Sequence, residues 1–188
     1  MTRLLLLSAS PRRRALLAAT GLPFEVRPVD IDETPEPGEP PGALAERLAR
    51  AKAAATPDPE AWALAADTVV AREGETFGKP ANANEAVAML RRLRDCWHEV
   101  YTGVAVRRPD GTIISAVDCT RVRMRDYRDD EIAAYVASGD PLDKAGAYAI
   151  QHVGFRPVAQ FEGRYDTVVG LPVPLALQLL SAAGWPLS

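Results

Sequence analysis

The 188-residue chain is poor in the side chains from which metal centres, disulfide frameworks and histidine-based triads are built. Cys96 and Cys119 are its two cysteines, and they have neither metal-ligand spacing nor the number a disulfide scaffold needs. The two histidines, His98 and His152, lack the partner pattern of a nucleophilic triad or a zinc site and are read as structural. A net charge of −3 excludes the broad basic face on which nucleic-acid binding depends. No apolar run approaches the length that spans a bilayer. The opening MTRLLLLSASPRRR resembles a signal peptide only superficially: its apolar core is short, and three arginines stand where cleavage would fall. There is no GxGxxG, no Walker A pattern, no internal repeat and no long linker. These absences leave a reduced, cytoplasmic globular protein, with 47% hydrophobic and 25% charged residues, read as one domain over 1–188.

Lysine is the other scarcity. Three lysines, Lys52, Lys79 and Lys144, stand against 19 arginines. In so arginine-biased a chain, a retained lysine marks a position that wants a compact ammonium, or is a chance survivor.

Residues 4–7 form an apolar run of strand length, followed by Ser10 and Pro11, a helix start that predicts a helix to about Thr20 stopped by Gly21. A short strand over 24–29, a Pro/Glu-rich loop over 30–41, a helix over 42–55 and a strand over 62–71 follow. Asn84 is read as the cap of a helix ending near Arg94. Residues 97–107 and 112–123 are β-rich and joined by Pro109-Asp110-Gly111, a hairpin signal. Asp129 is read as the cap of a helix that reaches Val136 and stops at Gly139, and residues 140–148 as irregular. One or two strands are expected between 158 and 169, then a helix over 172–183. Strands and helices are mixed without a strict βαβ repeat, which predicts an α/β domain with a mixed, twisted sheet.

Chemistry concentrates in a few places. Ser8-Ala9-Ser10-Pro11-Arg12-Arg13-Arg14 leaves a buried strand and enters a helix, where backbone N–H groups and the helix dipole make an anion site. Arginines in a first turn oppose the dipole, so Arg12 and Arg13 are read as anion ligands, and Arg14 as solvated. Asp67 falls on the strand face of Ala63, Ala65, Val69 and Ala71, where an uncompensated carboxylate is costly. It is therefore paired, bound to metal or set in a cleft, and beside a triphosphate it holds Mg²⁺ or takes a proton from water. Strand alternation turns Thr68 to the opposite face. Lys52 continues the helical stripe of Leu44 and Leu48, either at a site or snorkelling to water. Lys79 is held in Phe77-Gly78-Lys79-Pro80, Lys144 lies in a tight loop with Asp143, and Glu33 ends an acidic cluster that either ligates a hard cation or is merely solvated.

In order along nearly the whole chain, SASPRRR, VDIDE, ARAKA, AADTVV, GKP, HEVYTGV, LDKAGAYAIQ and GRYDTVVGLPV resemble the Maf family of nucleoside triphosphate pyrophosphatases, once described as septum-formation inhibitors. The resemblance implies an elongated mixed sheet flanked by helices, two lobes and a central cleft, similar to the inosine triphosphate pyrophosphatases. It implies hydrolysis of a nucleoside triphosphate to the monophosphate and pyrophosphate, with Mg²⁺ or Mn²⁺. On the matching positions, Asp67 activates water; Ser8, Arg13, Lys52 and Lys79 line the phosphates; Glu33 and Asp67 hold metal. Arg12, Thr68 and Gln151 match the branch that prefers dTTP and UTP, whereas the 7-methyl-GTP branch has a bulky aromatic where this chain has Arg12. Gln151 offers both a donor and an acceptor to a pyrimidine edge. One departure is His152-Val153, where relatives often carry glycines. The resemblance also implies a homodimer. The alternatives are 7-methyl-GTP hydrolysis and a non-enzymatic nucleotide-binding regulator of septum formation.

Overall fold

One sheet runs through the molecule, and its strand order explains where a cleft opens. The structure, a computed structural model, describes residues 3–186. The strands are β1 (Leu4–Leu6), β2 (Glu25–Val26), β3 (Trp62–Arg72), β4 (Glu75–Phe77), β5 (Trp97–Arg107), β6 (Ile113–Met124) and β7 (Val158–Glu162). They line up as β2-β1-β3-β5-β6-β7, with β4 also on β3. Both β1 pairings are parallel and the remaining pairings are antiparallel, which gives the mixed sheet the sequence predicts.

β3 carries the geometry that matters. One edge pairs with β5 from Ala63 to Ala71. The other edge is shared: β1 pairs with residues 62–64 and β4 with residues 70–72. Among the described residues, 65–69 have no strand partner on that edge. The sheet is therefore notched beside Asp67, where β1 gives way to the Ser8 turn.

The helices are α1 (Pro11–Ala18), α2 (Pro41–Ala54), α3 (Ala83–Leu93), α4 (Asp129–Ala137), α5 (Tyr165–Val169) and α6 (Val173–Ala183). α1 starts as expected: Pro11 is at its first position, and the Ser10 hydroxyl accepts from the Arg13 N–H at 3.4 Å. α2 lays Leu44, Ala45, Leu48, Ala49 and Ala53 on the sheet. Two lobes flank the notch. One is built on β1, α1 and α6 around Leu4, Leu6, Leu17 and Leu180; the other on β4, α3 and α4 around Phe77, Leu90, Tyr127 and Ile132.

Four local expectations are corrected. Asn82, not Asn84, caps α3: its side chain accepts from the Glu85 N–H at 3.0 Å, and the Glu85 carboxylate accepts from the Ala81 N–H at 2.7 Å. Arg128, not Asp129, occupies the cap position of α4; its N–H is satisfied by Glu131 at 2.9 Å, while Asp129 supplies first-turn charge. Of the one or two strands expected between 158 and 169, β7 is present, but residues 165–169 are helical: α5 ends at Gly170, whose N–H returns to the Asp166 carbonyl at 3.0 Å, while the Asp166 carboxylate reaches ahead to accept from the Val173 N–H at 2.8 Å. The second strand is also shorter than the expected 24–29, confined to Glu25–Val26.

Candidate active site

The notch opens into a cleft of about 680 Å³ whose walls come from both lobes. One wall is the turn from Ser8 to Arg13; the other is Gly78, Lys79 and residues 143–145; Asp67 to Val70 of β3 form the floor, and Tyr148 to Gln151 close the side beyond. Ser8, Arg12, Arg13, Glu33, Lys52, Asp67, Thr68, Lys79 and Gln151, the residues singled out from the sequence, all line it.

Asp67 is 8% exposed and faces α2. Its Oδ1 accepts from Lys52 Nζ at 2.5 Å, and the same ammonium lies 2.6 Å from Glu33 Oε1. Lys52 is thus not a snorkelling surface lysine but a buried cation between two carboxylates. Lys79 Nζ adds a looser contact to Glu33 Oε2 at 3.6 Å. Partial burial pushes the Glu33 carboxyl up, but bonding to Lys52 and then Lys79 outweighs it and holds the group below its ordinary range. Asp67 Oδ2 accepts from no donor among the described residues.

The approach of α2 that brings Lys52 to Asp67 depends on a missing side chain. Gly103 of β5 is the partner of Asp67 in register. A Cβ there would lie 2.3 Å from the Ala45 carbonyl oxygen and 2.7 Å from Glu46 Cα, so α2 packs against bare backbone.

The Ser8–Arg13 turn organises itself. Ser8 Oγ accepts from the Ser10 N–H at 3.1 Å, and Ser10 Oγ accepts from the Arg13 N–H. Both hydroxyls bond through oxygen, so each keeps its hydrogen for an anion. Arg13 folds under the turn, donating Nε to the Gly170 carbonyl at 2.7 Å and Nη2 to Thr68 Oγ1 at 3.0 Å. Burial pushes its guanidinium below its ordinary value and the Asp67 carboxylate opposes that; its other three N–H donors have no partner among the described residues. Arg12 lies half-buried at the cleft edge and Arg14 is exposed. Thr68 does point away from Asp67, toward Arg13, and its hydroxyl also meets Thr102 at 3.0 Å.

Lys144, noted in the sequence but not assigned to the site, also lines the cleft. Its buried ammonium donates to Asp143 at 2.6 Å, to the Asp140 carboxylate at 3.0 Å and to the Asp140 carbonyl. All three lysines of the chain therefore meet at one cavity, which separates them from chance survivors. Tyr148, a second unassigned wall residue, is held by His98 Nε2 at 2.7 Å. His152 packs edge-on to Tyr135 and accepts from the Phe155 N–H at 2.9 Å. Both histidines are thus structural. Cys96 and Cys119 are free.

Glu33 and Asp67 suit a small hard cation. Their oxygens already converge on one positive point, the Lys52 ammonium, and Mg²⁺ is characteristically held by one or two carboxylates plus substrate phosphates. Among the described residues no group of three or more His, Cys, Asp or Glu is placed to bind metal alone. Further ligands would come from phosphate and water. Among the described residues no helix is long and apolar enough to cross a membrane.

A family model described as Maf-like protein matches residues 3–183. The dTTP/UTP pyrophosphatase of Myxococcus xanthus is 51% identical, over 99% of this chain and 95% of the relative. That of Thermomicrobium roseum is 50% identical, over 98% of this chain and 86% of the relative. Among solved structures, the Staphylococcus aureus Ham1 protein is similar with a TM-score of 0.55 at 13% identity, over 97% of both chains. A HAM1 protein from Coxiella burnetii gives a TM-score of 0.51 at 18% identity, over 97% of this chain and 98% of that one. At such identities the likeness is one of fold: a mixed sheet flanked by helices.

Proposed function

The chain belongs to the Maf-like protein family, and from that premise we propose that it hydrolyses dTTP and UTP to the nucleoside monophosphate and pyrophosphate. The observation that carries the reading is a nearly buried carboxylate, Asp67, tied to Lys52 at 2.5 Å in a cleft that also holds Arg13 and Lys79. A cationic cleft alone would bind a triphosphate; a carboxylate with one free oxygen gives it a reaction to perform.

In this reading the triphosphate lies against the Ser8–Arg13 turn, with Lys52 and Lys79 on its far side. These cations offset the charge that develops on the phosphate oxygens, and fixed positioning supplies much of the rate. Lys52 holds Asp67 in place through Oδ1, leaving Oδ2 to accept a proton from water. The water oxygen bonds to the α-phosphorus, the bond from that phosphorus to the α–β bridging oxygen breaks, and pyrophosphate leaves with the electron pair. Mg²⁺ or Mn²⁺, held by Glu33 and Asp67 together with the phosphates, would neutralise phosphate charge. Arg12 and Gln151, at the cleft's outer side, read the pyrimidine, with Thr68 behind Arg13. The whole chain, 1–188, acts as one domain and assembles as a homodimer on the cytoplasmic nucleotide pool.

Incubating the purified protein with each triphosphate and Mg²⁺ or Mn²⁺ tests this. Pyrophosphate released fastest from dTTP and UTP supports it. Orthophosphate as first product overturns the reaction, and preference for 7-methyl-GTP overturns the specificity. Light scattering on the eluted protein tests the dimer, and a monomer mass contradicts it.

A further inference from the structure

We propose that Thr102 is a positioning residue for Arg13, acting through a one-way chain of hydroxyls beneath the cleft; this rests on the reading of Arg13 as a phosphate ligand. Thr102 sits in the HEVYTGV block, is fully buried and is not among the residues lining the cleft. Its register partner on β3 is Thr68, on the face opposite Asp67.

The direction of the chain is fixed at one end. Thr102 Oγ1 donates to the Thr167 carbonyl at 2.8 Å, and a carbonyl can only accept. Having committed its single hydrogen, Thr102 can only accept from Thr68, 3.0 Å away. Thr68 is then also an acceptor, and it receives the Arg13 Nη2–H at 3.0 Å. The second anchor of Arg13, its Nε bond to the Gly170 carbonyl at 2.7 Å, comes from the same segment three residues beyond Thr167. Thr167 is itself tied to β6, its hydroxyl donating to Asp118. The guanidinium plane is therefore held at two donors by one rigid segment, once directly and once through two threonines. Gly170 shows how closely this is fitted: a Cβ there would lie 3.2 Å from Arg13 Nε and 3.3 Å from Thr68 Oγ1.

Without the Thr102 hydroxyl, the Thr68 hydrogen loses its acceptor, the Thr68 rotor is freed and one of Arg13's two anchors is lost. The planar fork then no longer presents its remaining donors in one orientation, so the loss appears in turnover and in pyrophosphate affinity together.

The test is a cycle among Thr102→Val, Thr102→Ser, Arg13→Ala and the double variant Thr102→Val/Arg13→Ala. It is read as kcat/KM for dTTP by pyrophosphate release, at raised enzyme concentration where turnover is low, beside thermal unfolding. Thr102→Val is expected to lose about tenfold in kcat/KM, the scale of a misoriented binding group. Thr102→Ser should recover to within about threefold, and the double variant should match Arg13→Ala within about twofold, the non-additivity of residues acting as a unit. Thr68→Val cuts the chain one link nearer the cleft and should reproduce the loss if Thr102→Val does not fold. Wild-type kcat/KM in Thr102→Val, or in Thr68→Val should Thr102→Val not fold, overturns the proposal. So does the same fractional loss with and without Arg13, which would mark a general structural effect. Wild-type activity in Arg13→Ala would instead sink the phosphate role of Arg13.

Discussion

Replacing Gly103 by alanine would place a methyl carbon 2.3 Å from the Ala45 carbonyl oxygen, 2.5 Å from the Ala45 carbonyl carbon and 2.7 Å from Glu46 Cα. All three are backbone atoms, so no side chain can rotate away. Relief to ordinary van der Waals contact requires α2 to retreat by about 1 Å. Lys52 lies two helical turns further along α2, and its ammonium bridges Asp67 at 2.5 Å and Glu33 at 2.6 Å. Moving it by that amount stretches both contacts well beyond the short range of charge-assisted hydrogen bonds. Overpacking of this kind costs about 1–3 kcal/mol, and at about 2–4 °C per kcal/mol for a chain of this size the expected fall in Tm is roughly 2–12 °C. Misplacing Lys52 should reduce turnover by up to about 10²-fold. Thermal unfolding and pyrophosphate release on one preparation read both. Gly78→Ala is the stability control, since a Cβ there meets nothing within 4 Å, and its Tm should not move. If Gly103→Ala unfolds and turns over as the wild type does, the close α2 approach is not what sets Lys52.

Other consequences are as definite. Asn82→Ala should cost about 1 kcal/mol in denaturant unfolding and Asn84→Ala less than about 0.5 kcal/mol, because only Asn82 caps α3; equal losses would refute the assignment. Burial, and then the nearby Arg72 charge, push the fully buried His98 down to about 4, below its ordinary 6.5. The unfolded chain therefore takes up that proton first, so stability is full above about pH 7, falls by about 3 kcal/mol between pH 6.5 and 4, and levels off below. His98→Gln should flatten that part of the stability–pH curve, and an unchanged slope would show that other groups carry it. Gly170→Ala combines a positive φ of 118° with a Cβ 3.2 Å from Arg13 Nε, so it should weaken pyrophosphate inhibition along with stability; unaltered inhibition would contradict the role of this turn in holding Arg13.

The legible features were those set by neighbours in sequence. Ser10-Pro11 starts a helix by local chemistry alone, and strand alternation placed Asp67 and Thr68 on opposite faces without reference to any partner. The cap of α3 is legible in the sequence by its spacing: Asn82 has an acid three residues on, Glu85, whereas Asn84 has Val87, and only the first spacing suits a capping pair. α5 is hidden because Val168 and Val169 favour strands locally, while the Asp166 carboxylate that ties it to the start of α6 reaches seven residues ahead. Lys52 admits two readings from sequence, since a helical stripe shows its direction but not the carboxylates waiting there. The roles of Thr102 and Gly103 were beyond reach from sequence alone. They depend on the β3–β5 register and on where α1, α2 and α5 cross it, and none of these is encoded within a single element.

Turnover and binding measured separately in Asp67→Asn test the account most directly. The amide keeps the shape of the side chain and an oxygen for Lys52 but cannot take up the proton from water. Affinity for a triphosphate with a non-hydrolysable α–β bridge should stay within about tenfold, while pyrophosphate release should fall by roughly 10²–10⁴-fold, the range lost with a general base. Near-wild-type turnover in Asp67→Asn would contradict the account, and so would a loss confined to binding.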